Sequence, residues 1–187
     1  MSLPQPSPAA YPQPDPDALT LRRETGEDAA WIDHLHEVSF GPGRFARAAF
    51  RVRERYDTDP TLNWIGELNG ERAASVRMTP IGIGAEDGYL LGPLMTDPAF
   101  RKQGIGRSLV KHVCQIALAR PGVTFVLLVG DLAYYGPLGF VPTVPRAIQF
   151  PGPVDPERVL VHSFRDGLAQ TLSGAIARFR GTLPEPD

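Results

Sequence analysis

A strand, a tight turn and a glycine-bearing loop that opens a helix follow one another within residues 89–111. The apolar run 89–96 predicts the strand, 97–98 (Asp-Pro) predicts the turn, and Gly104 and Gly106 stand where the helix would begin. Because glycine lacks a side chain, a ligand can approach the backbone closely at this point. The first amides of a helix have no partner within the helix and carry partial positive charge. The run therefore predicts an anion site at a helix entrance.

Basic residues crowd this predicted entrance, where Asp or Glu is normally favoured. Between Asp97 and Asp131 there is no acidic residue, whereas five residues are basic: Arg101, Lys102, Arg107, Lys111 and Arg120. The stretch thus carries a formal charge of +5, against −2 for the whole chain and −7 for the remainder. A bound anion, most commonly phosphate, would turn the unfavourable interaction between these cations and the helix dipole into a favourable one. A solvated basic helix face is the alternative interpretation.

The spacing of the glycines separates this loop from two common phosphate-binding loops. A Walker loop has four residues between its glycines and ends in Gly-Lys-Ser/Thr, whereas only Ile105 separates Gly104 from Gly106. The dinucleotide fingerprint Gly-x-Gly-x-x-Gly is not met either, because residue 109 is leucine and no acid follows about twenty residues on. A general ATP or NAD site is therefore disfavoured.

A second motif follows the basic helix. The apolar run 124–129 predicts a buried strand, and it leads into Tyr134-Tyr135-Gly-Pro-Leu-Gly139-Phe140. Two adjacent aromatic residues before a Leu-Gly-Phe ending form a compact signature. Its place after a glycine loop and a helix adds to its specificity.

The two motifs in this order resemble the Gcn5-related N-acetyltransferase (GNAT) superfamily. Its acyl-CoA motif Gln/Arg-x-x-Gly-x-Gly/Ala is similar to Arg101-x-x-Gly104-x-Gly106, and its Phe-Tyr-x-x-Leu-Gly-Phe signature is similar to the tyrosine motif. The resemblance covers roughly residues 19–164. It implies an α/β fold of the α+β mixed-sheet type, in which a mostly antiparallel central sheet is splayed at the cofactor site and flanked by helices.

The resemblance also implies a reaction, in which a primary amine attacks the thioester of acetyl-CoA directly in a ternary complex. The amides of the glycine loop would bind the pyrophosphate. The pantetheine arm would pair with the preceding strand, where Gly92-Pro93 interrupts the sheet ladder. The predicted cofactor-binding residues are Leu94, Met95, Thr96, Arg101, Lys102, Gln103, Gly104, Ile105, Gly106, Arg107 and Ser108. A non-catalytic acyl-CoA-binding or sensor module on the same fold is the alternative function.

Tyr135 occupies the place of the tyrosine that commonly serves as general acid in the superfamily, and it would protonate the departing thiolate. Packing of Tyr134 and Tyr135 as core aromatics is the alternative. The predicted strand 89–96 offers no carboxylate as general base. Glu67 and Asp131 are the remaining candidates, although Asp131 is also suited to cap a short helix.

The rest of the chain supplies the elements that such a fold requires. We predict a first strand at 19–25 and helices at 29–38 and 44–56, the second with arginines on its polar face. Asn69-Gly70 predicts a type I′ turn between strands at 61–68 and 71–83. After the tyrosine motif, we predict strands at 144–150 and 159–164 and a helix at 168–179, in which Gly174 is unfavourable.

Length and composition predict one domain at 18–180, between a Pro-rich disordered tail at 1–17 and a flexible C-terminus at 181–187. The near-neutral charge gives no broad nucleic-acid footprint, and no apolar run reaches the length of a membrane span. We expect the single cysteine, Cys114, in the core, no metal and a cytoplasmic location. The acceptor would be a small-molecule or peptide amine, for which the −7 charge outside the basic stretch favours a cation. A homodimer is compatible with this picture.

Overall fold

The structure is a computed structural model that describes residues 13–41 and 48–184. Its strands are β1 (Leu19–Arg23), β2 (Trp64–Leu68), β3 (Glu71–Ile83), β4 (Glu86–Thr96), β5 (Val123–Val129), β6 (Val141–Pro142), β7 (Ile148–Gln149), β8 (Val159–His162) and β9 (Gly174–Arg178). Its α-helices are α1 (Ala29–Phe40), α2 (Ala48–Arg53), α3 (Ile105–Leu118), α4 (Leu132–Tyr135) and α5 (Leu168–Thr171). Most of the predicted tail at 1–17, the start of the second predicted helix and the last three residues lie outside the described residues.

The strands form an open sheet in the order β1-β2-β3-β4-β5-β8-β6, with β9 on the free edge of β3 and β7 on β9. The pairs β4–β5 and β7–β9 are parallel, and the other pairs are antiparallel. This confirms the predicted mixed, mostly antiparallel sheet. The predicted hairpin is also present, since Asn69 and Gly70 have φ angles of 52° and 80°, as a type I′ turn requires.

Helices cover both faces of the sheet because successive strand residues point to opposite sides. On β4, Tyr89 and Leu91 pack in the cluster that contains α3, whereas Leu90 packs in the cluster that contains Val52 of α2 and Leu168 of α5. A third cluster joins α1 to β2 and β4. The α3 helix thus lies on one face of the sheet, and its N-terminus points to the end at which β4 finishes.

A buried polar network fixes the opposite end of α3. The Asp59 carboxylate is 1% exposed and accepts hydrogen bonds from the Thr61 hydroxyl at 2.7 Å, from the Tyr89 phenol at 2.9 Å and from the Arg120 guanidinium. Burial opposes ionisation of Asp59, but these donors outweigh it and hold the pKa of that carboxyl below its usual value. The network ties the chain after α3 to the centre of the sheet.

The segment 168–179 corrects the sequence prediction. The predicted helix is wrong beyond Thr171, because α5 ends there and 174–178 form β9, which pairs with Ile81–Ile83 of β3. Gly174 has a φ of +124°, a conformation that glycine adopts readily and that is incompatible with an α-helix. The predicted strands at 144–150 and 159–164 are shorter than expected, since only β7 and β8 are paired. The strand predicted from residue 61 begins at Trp64, after a 3₁₀ turn at Pro60–Leu62.

Candidate active site

The central feature of the site is a gap between two neighbouring strands. The parallel pairing of β4 with β5 ends at Leu90 and Leu127, although both strands continue. Opposite Gly92 and Pro93, the register between β3 and β4 shifts between Val76 and Met78, as the prediction of a bulge or incomplete edge at this proline requires. The strands diverge from this point and open a cleft of about 630 Å³.

The last residues of β4 border this cleft. Leu94, Met95 and Thr96 pair with β3 on one side, and their other edge faces the gap. Leu94 and Thr96 line the cleft, whereas the Met95 side chain is buried against α1. Met95 can therefore contribute to a ligand only through its backbone, while Leu94 and Thr96 can contribute through both backbone and side chain.

The basic loop between β4 and α3 has the backbone geometry of a helix entrance. Asp97 starts it by accepting a hydrogen bond from the Ala99 amide at 2.9 Å. Lys102 and Gly104 then take left-handed φ angles of 64° and 82°, and Gly104 is the N-cap of α3. The side chains of Arg101, Lys102 and Gln103 are exposed. This turn leaves the first-turn amides of α3 without partners inside the helix and places them next to two cations.

The first turn of α3 is close to the tyrosine motif. Ile105 is buried in the core and anchors the turn, and the Ser108 amide donates to the Gly104 carbonyl at 3.1 Å within the helix. A Cβ atom on Gly106 would lie 2.9 Å from the Tyr134 hydroxyl. The Arg107 guanidinium lies 4.7 Å from the centroid of the Tyr134 ring. The small residue at 106 thus lets the Tyr134 hydroxyl reach the start of the helix.

Both tyrosines of the motif line the cleft. Their rings contact each other edge to face at 4.8 Å, and the Tyr135 ring contacts Phe140 at 5.7 Å. Gly130 makes room for Tyr135, because a Cβ atom at residue 130 would lie 2.4 Å from its ring. Burial raises the pKa of the Tyr135 phenol well above its ordinary value, so the hydroxyl keeps its proton at neutral pH. Tyr135 therefore packs as an aromatic residue, as the alternative interpretation expected, and also lines the cleft, as its predicted role requires.

Of the two predicted candidates for general base, Asp131 lines the cleft. Its carboxylate is 74% exposed and forms an ion pair with Arg158 at 3.1 Å. It precedes α4 but makes no capping hydrogen bond with its side chain among the described residues. Glu67 lies on β2, two strands away from the cleft edge, and accepts a hydrogen bond from Arg22 at 2.7 Å.

The cleft also contains residues that the motifs did not predict. Four of them carry ionisable side chains: His36, Arg53, Asp155 and Arg158. They come from α1, from the end of α2 and from the segment before β8, so the fold rather than a local pattern brings them together. The basic polar face predicted for the second helix was the one sequence signal that pointed to Arg53.

Two other predictions concern side chains outside the cleft. Cys114 is 4% exposed in the core, and burial raises the pKa of its thiol to about 12, which confirms its assignment as a core residue. Within 13–41 and 48–184, no three residues among His, Cys, Asp and Glu converge as a metal site would require. No helix in this part of the chain is both long and apolar enough to span a bilayer.

A splayed sheet whose cleft is lined by a tyrosine pair, with a glycine loop and a helix N-terminus beside it, is the arrangement of an acyl-CoA-dependent transferase fold. The family model described as the acetyltransferase (GNAT) family matches residues 29–140. The chain therefore belongs to the GNAT family, as its two motifs predicted. The comparison with curated protein sequences found no match.

Solved structures share the fold of this chain. A GNAT family N-acetyltransferase (YhbS) from Escherichia coli, in complex with CoA, is 25% identical and has a TM-score of 0.64, with 86% of this chain and 89% of that chain covered. A GNAT family acetyltransferase from Brucella melitensis, in complex with acetyl-CoA, is 22% identical with a TM-score of 0.59, covering 87% of this chain and 96% of that chain. Naa50 from Arabidopsis thaliana, bound to a bisubstrate analogue, shares the fold at 14% identity with a TM-score of 0.54. The match covers 79% of this chain and 99% of that chain.

Proposed function

We propose that this protein is a cytoplasmic N-acetyltransferase that transfers an acetyl group from acetyl-CoA to the primary amine of a small molecule or peptide. The observation that carries the proposal is the shared cleft. The unpaired edge of β4 and Tyr135 line it, and the start of α3 adjoins it, since Gly106 lies next to the Tyr134 hydroxyl and to Thr96. CoA-bound relatives of the same fold support coenzyme A as the donor.

The residues present fit coenzyme A. The amides of residues 103–107 and the side chains of Arg101, Lys102 and Arg107 would bind the pyrophosphate through charge-assisted hydrogen bonds. The Ser108 amide donates to the Gly104 carbonyl at 3.1 Å, whereas the Ser108 hydroxyl makes only a long contact of 3.4 Å with that carbonyl, so Ser108 would act through its hydroxyl. The backbone of Leu94, Met95 and Thr96 would pair with the pantetheine amides in the gap, and one of these amides would donate to the thioester oxygen as negative charge develops there.

The transfer itself needs two proton movements. The amine nitrogen bonds to the thioester carbon, and the C–S bond breaks as the Tyr135 phenol gives its proton to the leaving sulfur. The amine loses a proton, for which Asp131 is the acceptor in the cleft, directly or through water. The Tyr135 phenol is protonated at neutral pH even at an ordinary tyrosine pKa, and burial raises its pKa further.

Replacing Tyr135 with phenylalanine tests this mechanism. Thiol release from acetyl-CoA with a panel of primary amines should show a kcat at least about 100-fold lower, because a positioned general acid contributes about 10²–10⁴-fold. Calorimetry should show a Kd for acetyl-CoA within about threefold of wild type, since the phenylalanine keeps the ring packing. Tyr56→Phe, outside the cleft, is the matched control and should leave both values unchanged.

One outcome would contradict the role of Tyr135, and another would contradict the catalytic activity itself. An unchanged kcat in the Tyr135→Phe variant would remove Tyr135 as general acid. Binding of CoA without thiol release for any amine of the panel would favour the non-catalytic acyl-CoA-binding module instead.

A further inference from the structure

The half of the cleft that faces away from α3 has its own chemical character. It is formed by α1, by the C-terminal end of α2 and by the segment before β8, all of which flank the break in β4. Cationic side chains reach it from two directions, Arg53 from α2 and Arg158 from the turn before β8. This wall is the place at which an acceptor can meet the thioester, because β4 and the tyrosine pair occupy the other side.

The position of Arg53 is set by its neighbours in α2 and β4. Val52 is fully buried and fixes the last turn of the helix, so that the half-buried Arg53 points towards the break in β4. Its Nη1 atom lies 3.6 Å from the position that a Cβ atom on Gly92 would take. Gly92 is buried and has a φ of +131°, which disfavours other residues. The guanidinium therefore lies against bare backbone at the point where the sheet opens.

The acidic side chains of the cleft already have local partners. Asp131 forms its ion pair with Arg158, and an Asp155 oxygen accepts a hydrogen bond from the Glu157 amide at 3.1 Å. A guanidinium has five N–H donors, so Arg53 can keep contacts within the protein and still bind an additional anion. Planar, bidentate recognition of a carboxylate is the geometry that arginine favours.

We propose that the acceptor is a small amino acid–like amine, whose carboxylate binds to Arg53 while its amine faces Asp131. This inference deepens the proposed function and rests on it. It replaces the expectation of a purely cationic amine, which came from the overall charge outside the basic stretch. The cleft next to the break in β4 is lined by two arginines and two aspartates, and this balanced lining suits an acceptor that carries both a carboxylate and an amine.

The test compares amines that differ only in the anionic group. Amino acids such as alanine, β-alanine, glutamate and lysine are assayed with acetyl-CoA next to the corresponding carboxamides, which keep the size and the amine. For at least one pair, the amino acid should have a kcat/KM at least about tenfold above that of its amide. Arg53→Gln should lower kcat/KM for that amino acid about 10- to 100-fold, as expected for loss of a hydrogen bond between charged groups.

Controls separate binding of the carboxylate from general damage. Arg53→Gln should change kcat/KM for the amide less than about threefold, and Arg53→Lys should restore part of the activity on the amino acid. Arg51→Gln is the matched control, because Arg51 belongs to the same helix but packs over Gly152 outside the cleft. It should behave as wild type on both compounds.

Each other outcome overturns the inference. The inference is wrong if the amides are acetylated as fast as the amino acids, or if Arg53→Gln lowers kcat/KM equally for both compounds. Either result would indicate an acetyltransferase with a different acceptor class. Thermal protection by CoA with no acetylation of any compound would overturn the proposed function as well, so the two failures are distinguishable.

Discussion

Replacing Asp59 with asparagine should destabilise the protein by about 3 kcal/mol. The asparagine keeps the shape of the side chain but removes the charge that faces Arg120, whose side chain is only 15% exposed. Removing one partner of a buried ion pair costs about 3–5 kcal/mol, because the other charge stays buried without compensation. We expect the lower end of this range, since part of Arg120 reaches water.

Thermal and urea unfolding followed by circular dichroism would measure this loss. At about 2–4 °C per kcal/mol for a chain of this size, Tm should fall by about 6–12 °C. Asp131→Asn is the matched control, because it removes an acid of an exposed ion pair and should change stability by less than about 0.5 kcal/mol. A loss in Asp59→Asn no larger than in this control would refute the reasoning.

A double-mutant cycle assigns the loss to the ion pair itself. Arg120→Met removes the cation, and the Asp59→Asn/Arg120→Met protein contains neither buried charge. The double variant should be more stable than the sum of the two single losses predicts, by about 0.5–3 kcal/mol. Additive losses would show that the two side chains act independently.

The pH dependence follows from the lowered pKa of Asp59. Because the folded state holds this pKa below the unfolded value of about 3.9, its contribution is complete above that value and is lost as pH falls through the folded pKa. The difference in unfolding free energy between wild type and Asp59→Asn should therefore be constant from about pH 5 to 7 and shrink in more acidic solution.

Two further substitutions test the packing of the sheet and its first helix. Gly88→Ala should lower the free energy of unfolding by about 1–3 kcal/mol or more, because the new Cβ would lie 2.3 Å from the Phe125 carbonyl oxygen. Gly26→Ala is the control, since a Cβ there would have no atom within 4 Å, and it should be nearly neutral. Urea unfolding of both variants measures the difference. Asp28→Asn should cost about 1–2 kcal/mol, since the Asp28 carboxylate accepts two hydrogen bonds from Arg22, which is 32% exposed. These hydrogen bonds outweigh the effect of burial and hold the pKa of Asp28 well below its usual value. The loss of stability in Asp28→Asn, measured by thermal unfolding, should therefore become smaller below about pH 4.

Local signals explain why much of the fold was predictable. The Asn69-Gly70 turn, the apolar spacing of α3 and the glycines at its entrance each specify a conformation over a few residues. The tyrosine motif adds a local aromatic pattern whose packing against Phe140 is present in the structure. These elements were predicted because their geometry depends on neighbours in sequence.

The elements that were missed depend on contacts between distant segments. The strand β9 forms because 176–178 find the edge of β3 at 81–83, about ninety residues away. Helical spacing alone cannot show this partner. Arg53 and Arg158 similarly reach one cleft from segments a hundred residues apart, so no local pattern identifies the acceptor wall.

The break in β4 explains why the two halves of the site differ in predictability. On one side of the strand, coenzyme A would bind mainly to backbone groups, and such recognition requires glycines and a helix entrance that appear directly in the sequence. On the other side, the acceptor would bind to side chains from α1, α2 and the turn before β8. Because the cleft-lining residues of these elements belong neither to the glycine loop nor to the end of β4, their side chains can change without disturbing donor binding. We therefore expect substitutions at Arg53 to alter the choice of acceptor while the Kd for acetyl-CoA stays within about threefold of wild type, since additivity holds for sites without shared partners.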